Sequence, residues 1–325
     1  MSGPYDHWPT GEGFEKYYGF LGGETDNYNP TLFEGTTAID TPDEPGYHLS
    51  EDLATRTISY IREQKAMTPD KPFFTYLSFG ATHAPHHAPP EYVERYSGAF
   101  DHGWDKQREL TLAKQNELGV VPEDAELTPR PESIPDWEGL DEDRHRLFSR
   151  MMEGYAGFAT HTDEQVGRVV DALEDLGELD NTLIFYVLGD NGASGEGGPD
   201  GSLNEYAAYN LVEETVEEMI THLDEIGSDR LFNHYTVGWA HAMNTPYQWT
   251  KQIASHWGGT RTGMIVHWPG GIEAEDGIRD QFTHVIDIAS TILEAAGIPE
   301  PTSVNGVAQK PIEGTEFNYA FDARG

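Results

Sequence analysis

Three short stretches of this chain hold the residue types that chemistry uses. In Gly80-Ala81-Thr82-His83-Ala84-Pro85-His86-His87-Ala88-Pro89, three histidines fall within five positions. Clustered imidazoles can hold zinc, but the prolines stiffen this segment and no third ligand follows at helical spacing. The plain reading is a rigid surface loop with solvated histidines. In Gly189-Asp190-Asn191-Gly192-Ala193, a carboxylate stands beside an amide oxygen. A hard cation such as calcium or magnesium accepts that pair, although Asp-Asn-Gly is also a common turn. Calcium takes about six to eight oxygens, so further carboxylates would have to come from elsewhere. The third stretch runs from Asn244 through Lys251 to His256-Trp257-Gly258-Gly259-Thr260-Arg261. Its glycine pair permits close backbone approach, and Lys251 is one of only seven lysines; on its own, an exposed lysine is a solubilising charge.

The elements that would position these residues are legible from hydrophobic period. Residues 1–49 are rich in Gly, Pro, Tyr and Asp without sustained periodicity and read as irregular surface structure. Ser50 is an N-cap candidate for a helix reaching Lys65, and Lys71-Pro72 leads into the apolar run Phe73–Phe79, a predicted buried strand. Leu147, Met151, Tyr155, Phe158, Val166, Val169, Val170, Leu173 and Leu176 keep i, i+3, i+4 spacing, which predicts a long helix stopped at Gly177. Buried strands are predicted over Thr182–Leu188 and Met264–Trp268. Helices are predicted from Leu211 to Ile226 and from His284 to Ala296. Helices alternating with short apolar strands predict an α/β layered sheet, in which chemistry sits beyond the strand ends. His83 follows the first strand, Asp190 and Asn191 follow the second, and Lys251 precedes the third.

Taken in order, these segments resemble the sulfatase family, in particular the bacterial arylsulfatases of the alkaline phosphatase superfamily. The resemblance is carried by Trp8-Pro9-Thr10-Gly11 through Tyr17-Tyr18-Gly19-Phe20, by Lys71-Pro72-Phe73-Phe74 through His83 and Pro85, and by Val166-Gly167-Arg168. Leu179-Asp180-Asn181-Thr182, Asp190-Asn191-Gly192, Gly258-Gly259-Thr260-Arg261 and Trp268-Pro269 continue it. It implies an alkaline-phosphatase-like α/β sheet with helices on both faces. It also implies a small-molecule sulfate ester as substrate, calcium or magnesium as cofactor, Asp190 and Asn191 as metal ligands, His83 near the ester oxygen, and Lys251 as the sulfate-binding lysine. His256 is a reserve candidate for substrate contact.

The departures from the family matter as much. Sulfatases use a formylglycine made from Cys or Ser in a Cys/Ser-x-Pro-x-Arg motif. This chain has no cysteine, and its nearest serine version, Ser133-Ile134-Pro135-Asp136-Trp137, has Trp where Arg belongs. An early Asp-Asp metal pair is missing too, since no Asp-Asp dipeptide occurs in the sequence. The resemblance therefore implies that residues 1–325 are the middle and later part of a sulfatase catalytic domain, incomplete at the N-terminus and inactive alone. A related phosphatase or phosphonate hydrolase, or a noncatalytic acidic metal-binding remnant, are the alternatives.

Composition narrows the function from another side. Asp and Glu number 57 against 20 Lys and Arg, a formal net charge of -37. Such a surface repels phosphate backbones, which excludes nucleic acid as the expected partner. No apolar run is long enough for a membrane span, and Met1-Ser2-Gly3-Pro4 shows no basic and apolar regions of a signal peptide. The absence of cysteine removes disulfides and thiolate chemistry. Dispersed acidity of this size suits a high-salt setting, where screening relieves self-repulsion. Unfolding midpoints should therefore rise from dilute to molar KCl; greater stability in dilute salt would overturn this reading.

Overall fold

The computed structural model describes residues 3–273 and 277–321. Two compact units emerge: residues 1–113, 126–177 and 189–263 form the first, and 114–125, 178–188 and 264–325 the second.

The first unit opens with a small antiparallel sheet: β1 (Tyr18–Gly19), β2 (Leu32–Glu34) and β3 (Thr37–Ile39), with Phe33 opposite Ala38 and Gly19 opposite Phe33. This part of the sequence was expected to be irregular. Its strands are too short for a period to show, and the burial of Tyr18 and Leu32 against Leu49 and Leu53 holds them. Helix α1 (Leu49–Met67) starts two residues earlier than predicted. Its N-cap is His48, not Ser50: the buried imidazole accepts from the Ser50 N–H at 3.2 Å through Nδ1. After α2 (Pro90–Glu94) and α3 (Gly103–Leu118) comes α4 (Glu142–Asp175), the predicted long helix. Asp141 caps it by accepting from the Arg144 N–H at 2.8 Å, and Gly177 follows it with a φ of +70°.

Helix α4 supplies one wall of the main core. Leu147, Phe148, Met151 and Met152 meet Trp104, Trp137 and Trp239, whose ring centroids stand 4.8 to 5.9 Å apart. Its Gly157 is needed for packing, because a Cβ there would lie 2.8 Å from the Val93 backbone nitrogen of α2. The predicted helix from Leu211 to Ile226 is instead broken. Helix α5 (Tyr206–Tyr209) ends at Asn210, and α6 (Val216–Met219) restarts at Thr215 with a capping box to Glu218. Between them, Glu214 turns its carboxylate to the Leu203 and Asn204 N–H groups, a local competition that apolar spacing does not reveal. Helices α7 (Val237–Met243) and α8 (Trp257–Thr260) complete the unit.

The run Phe73–Phe79 is not a strand. Leu77 and Phe79 pack onto the Tyr18–Leu49 cluster, while Phe74 and Tyr76 are 60% and 74% exposed. Apolar content alone cannot make a strand without a ladder partner, and none pairs with this run among the described residues.

In the second unit, β4 (Ile184–Val187) and β5 (Met264–His267) pair antiparallel, with Phe185 opposite Val266. They match two predicted strands but are half-buried to exposed rather than buried. Helix α9 (Asp287–Ala295) ends before Gly297, as the sequence predicts, and a two-residue hairpin pair, β6 (Ser303–Val304) and β7 (Val307–Ala308), follows.

Buried histidines make the first unit acid-sensitive. Burial pushes His48 down to about 3 and His234 and His241 to about 4, against an ordinary 6.5. The unfolded chain therefore binds more protons than the folded one between those values, so this stability is complete above about pH 6.5 and is lost as pH falls toward 3. Urea midpoints should decline through that window. His48→Gln should flatten the decline by about 1.4 kcal/mol per pH unit, one proton's worth. An unchanged slope would remove His48 from the account.

Candidate active site

The sequence-predicted residues lie on three loops of the first unit. Two of these loops are docked backbone to backbone. The Gly192 N–H donates to the Gly259 carbonyl at 3.1 Å, and the Lys251 N–H donates to the Ala193 carbonyl at 3.0 Å. Asn244 Oδ1 accepts from the Ala193 N–H at 2.9 Å. The approach is so close that a Cβ on Gly192 would sit 1.7 Å from the Gly258 carbonyl oxygen. The Asp-Asn-Gly turn thus has its glycine for contact with the Gly258-Gly259 pair, and the two motifs are one structural device.

The third loop meets this device through side chains. Lys251 Nζ lies 3.1 Å from His83 Nε2 and donates to Glu196 Oε2 at 2.8 Å. An ammonium only donates, so His83 accepts at Nε2 and carries its proton on Nδ1, which donates to the Ala84 carbonyl at 2.9 Å. Glu24 Oε2 stands 3.4 Å from the same Nδ1. Of the three loop histidines, only His83 is half-exposed; His86 and His87 are buried, contrary to the solvated loop expected from the sequence. His86 stacks on Tyr235 at 4.7 Å, and His87 Nε2 bonds the Leu231 carbonyl at 2.7 Å, so both serve as core.

Asp190 and Asn191 hold each other: Asn191 Nδ2 donates to Asp190 Oδ1 at 2.8 Å. Asp190 is exposed. That bond directs the amide nitrogen toward Asp190 and leaves Asn191 Oδ1 and Asp190 Oδ2 as open acceptors. In kind these oxygens suit a hard cation; in number they fall short of the about six that calcium takes. His256 is set apart, with Nδ1 bonded to Ser255 Oγ at 2.9 Å. Ser133 is exposed, and Trp137, in the motif's Arg position, is buried in the tryptophan core.

Sequence reasoning missed the carboxylates. Glu196 is fixed by Lys251, by Ser194 Oγ at 2.8 Å and by Gln252 Nε2 at 2.9 Å. Burial pushes its carboxyl up, but the hydrogen bonds from Lys251 and Ser194 outweigh burial and leave it below its ordinary value. Glu205 is buried and pushed up to about 8, by desolvation first and then by its hydrogen bond and repulsion with Glu24. At neutral pH it is therefore protonated and donates to Glu24, which also accepts from the Tyr206 hydroxyl. Ligand atoms of Glu24, His83 and Glu205 lie within 4.8 Å of one another, a spacing a metal ion could join. An ion there would have to displace the Glu205 proton and the His83 Nδ1 proton. In an acidic chain, three more glutamates carry no signal in the sequence.

The comparisons give this arrangement its family. A sequence profile described as Sulfatase matches residues 2–298. The chain belongs to the sulfatase family. It is 30% identical over 314 residues to an uncharacterised sulfatase of Schizosaccharomyces pombe, covering 91% of this chain and 54% of that protein. To an arylsulfatase of Klebsiella aerogenes it is 28% identical over 316 residues, covering 94% and 64%. The chain thus spans between half and two thirds of the length of these relatives. The crystal structure of Ps i-CgsB superposes with a TM-score of 0.55 at 20% identity, covering 99% of this chain and 52% of that one. The fold is accordingly the α/β, alkaline-phosphatase-like fold of sulfatases.

The Glu24–Glu205 pair yields a prediction of opposite sign to the histidines. Glu205's folded value lies above its unfolded one, so its contribution is present below about pH 4.5 and is lost as pH rises through about 8. Thermal midpoints should drop between pH 6.5 and 9 in the wild type, and Glu205→Gln should lessen that drop. Parallel profiles for the two proteins would exclude the shared proton.

Proposed function

We propose that this sulfatase chain supplies the leaving-group side of a site that hydrolyses sulfate monoesters, of the arylsulfatase type. The observation that carries the reading is the 3.1 Å contact between Lys251 Nζ and His83 Nε2, two residues 168 positions apart. A sulfate ester presents anionic oxygens and must shed an alcohol. An ammonium and an imidazole side by side answer those two needs. Lys251 binds a sulfate oxygen. His83, in the tautomer described, has no proton on Nε2, so to donate to the departing oxygen it must first take a proton there, and Lys251 then turns its N–H from Nε2 to the sulfate while Glu24 stays beside Nδ1.

Asp190 and Asn191 would hold part of the shell of a calcium or magnesium ion, which when bound neutralises sulfate charge. The remaining ligands are not among the residues gathered here. The nucleophile is a separate matter. Formylglycine formation needs Cys or Ser in its motif, this sequence has no cysteine, and Ser133 precedes a Trp137 locked in the core. The chain's own residues therefore bind and protonate but do not attack.

The 325-residue chain should show no hydrolysis of 4-nitrophenyl sulfate above background, with or without calcium. Joined to a sulfatase segment bearing the Asp-Asp pair and a convertible Cys or Ser, it should turn over. In that joined protein, Lys251→Met or His83→Ala should cut the rate by about 10²–10³-fold. Calcium-dependent turnover by the chain alone would overturn the missing-nucleophile reading, and full activity in either variant would overturn that residue's role.

A further inference from the structure

We propose that Glu196 is a positioning residue: it holds the Lys251 ammonium against His83 and toward the substrate sulfate, an inference that rests on the sulfate-ester reading above. A carboxylate beside an anion-binding lysine is at first sight misplaced. It repels the anion and competes for the cation. Its surroundings show that it is built in rather than incidental. Ser194 Oγ and Gln252 Nε2 fix the carboxylate from two further directions, and the Glu196 N–H donates back to Ser194 Oγ at 3.1 Å. The Ser194 N–H in turn donates to the hydroxyl of Tyr235 at 3.2 Å, and Tyr235 is buried and stacked on His86 in the core. A continuous chain of contacts therefore runs from the core through Tyr235, Ser194 and Glu196 to Lys251 and His83.

Lysine needs such a support more than arginine would. Its stem is flexible and its ammonium has no preferred direction, so a free Lys251 would spread its charge over many positions. With one N–H on Glu196 and one on His83 Nε2, two of its three donors are committed and the third is aimed. The His83 ring gains from the same arrangement, since its Nε2 lone pair is occupied while Nδ1 faces Ala84 and Glu24. Glu196 touches neither sulfate nor the ester oxygen in this role and acts only through Lys251.

The two physical roles open to Glu196 predict opposite signs, which makes the test direct. The full chain, labelled with 15N-histidine, is titrated with sodium sulfate at the KCl concentration that holds its fold, and the His83 ring signals are followed. Dispersed His86 and His87 signals report that each variant is folded. Glu196→Ala should weaken sulfate binding roughly tenfold, because Lys251 loses its tether. Glu196→Gln keeps an oxygen acceptor and loses the charge, so it should bind sulfate as tightly as wild type or more tightly. In a Lys251→Met background, Glu196→Ala should have no further effect. Tighter binding in both Glu196 variants would reduce the residue to a repulsive charge, and no change in either would deny it any role; both outcomes overturn the proposal. If wild type binds no sulfate, the sulfate-ester reading fails, and the His83 Nε2 shift decides the positioning separately. That shift should move alike in Glu196→Ala and Lys251→Met and stay in place in Glu196→Gln. Any other pattern refutes the tether.

Discussion

The site depends on one constraint: two loops lie closer than side chains allow. Gly192 and Gly258 meet where a single added carbon would lie 1.7 Å from a carbonyl oxygen, far inside van der Waals contact. From that contact follow the Gly192–Gly259 and Ala193–Lys251 backbone bonds, and hence the placement of Lys251 against the loop that carries Asp190 and Asn191. The tryptophan core holds α7 against α4, and Asn244, just past the end of α7, reaches the Ala193 N–H, so core packing and loop docking share a residue. His83 is fixed from the other direction. Its neighbours His86 and His87 are sunk into the core, so the ring that stays half-exposed has little freedom in where it points.

Particular residues show how far the sequence could be read. The long helix from Glu142 to Asp175 was plain because its apolar period runs over many turns and a glycine ends it. β4 and β5 were found by their apolar content, but their partial exposure was not, because content does not say what covers a strand. Phe73–Phe79 shows the same gap more sharply. An apolar run states a need for a partner and not its identity. The Leu211–Ile226 error had a local cause, since Glu214 and the Thr215–Glu218 box outcompete a continuous helix over this stretch. At the site, the family motifs single out His83, Asp190, Asn191 and Lys251 as candidates, and the structure brings His83 and Lys251 into contact. Asp190 and Asn191 are seen bonded to each other, on the loop docked beside Lys251. Glu24, Glu196 and Glu205 were invisible because their significance lies only in tertiary proximity within a chain of 57 acids.

The local charges make the lysine and histidine by themselves a weak anion site rather than a strong one. Lys251 brings one positive charge, and Glu196, ion-paired with it, cancels most of that charge at any distance beyond contact. Glu24 adds a further negative charge beside His83, and protonation of Glu205 merely avoids a third. The overall charge of -37 opposes approach from farther out, although at molar salt the Debye length of about 3 Å confines that effect to contact range. Asp190 is an acid and Asn191 is neutral, so their side of the site adds no positive charge of its own. Under the proposed reading, a multivalent cation bound there would strengthen the weak attraction that Lys251 supplies. In this chain Lys251 and His83 touch each other and each stands beside a carboxylate, Glu196 for the one and Glu24 for the other, so the pair sits at low net charge, a balance that a cation would shift under the proposed reading.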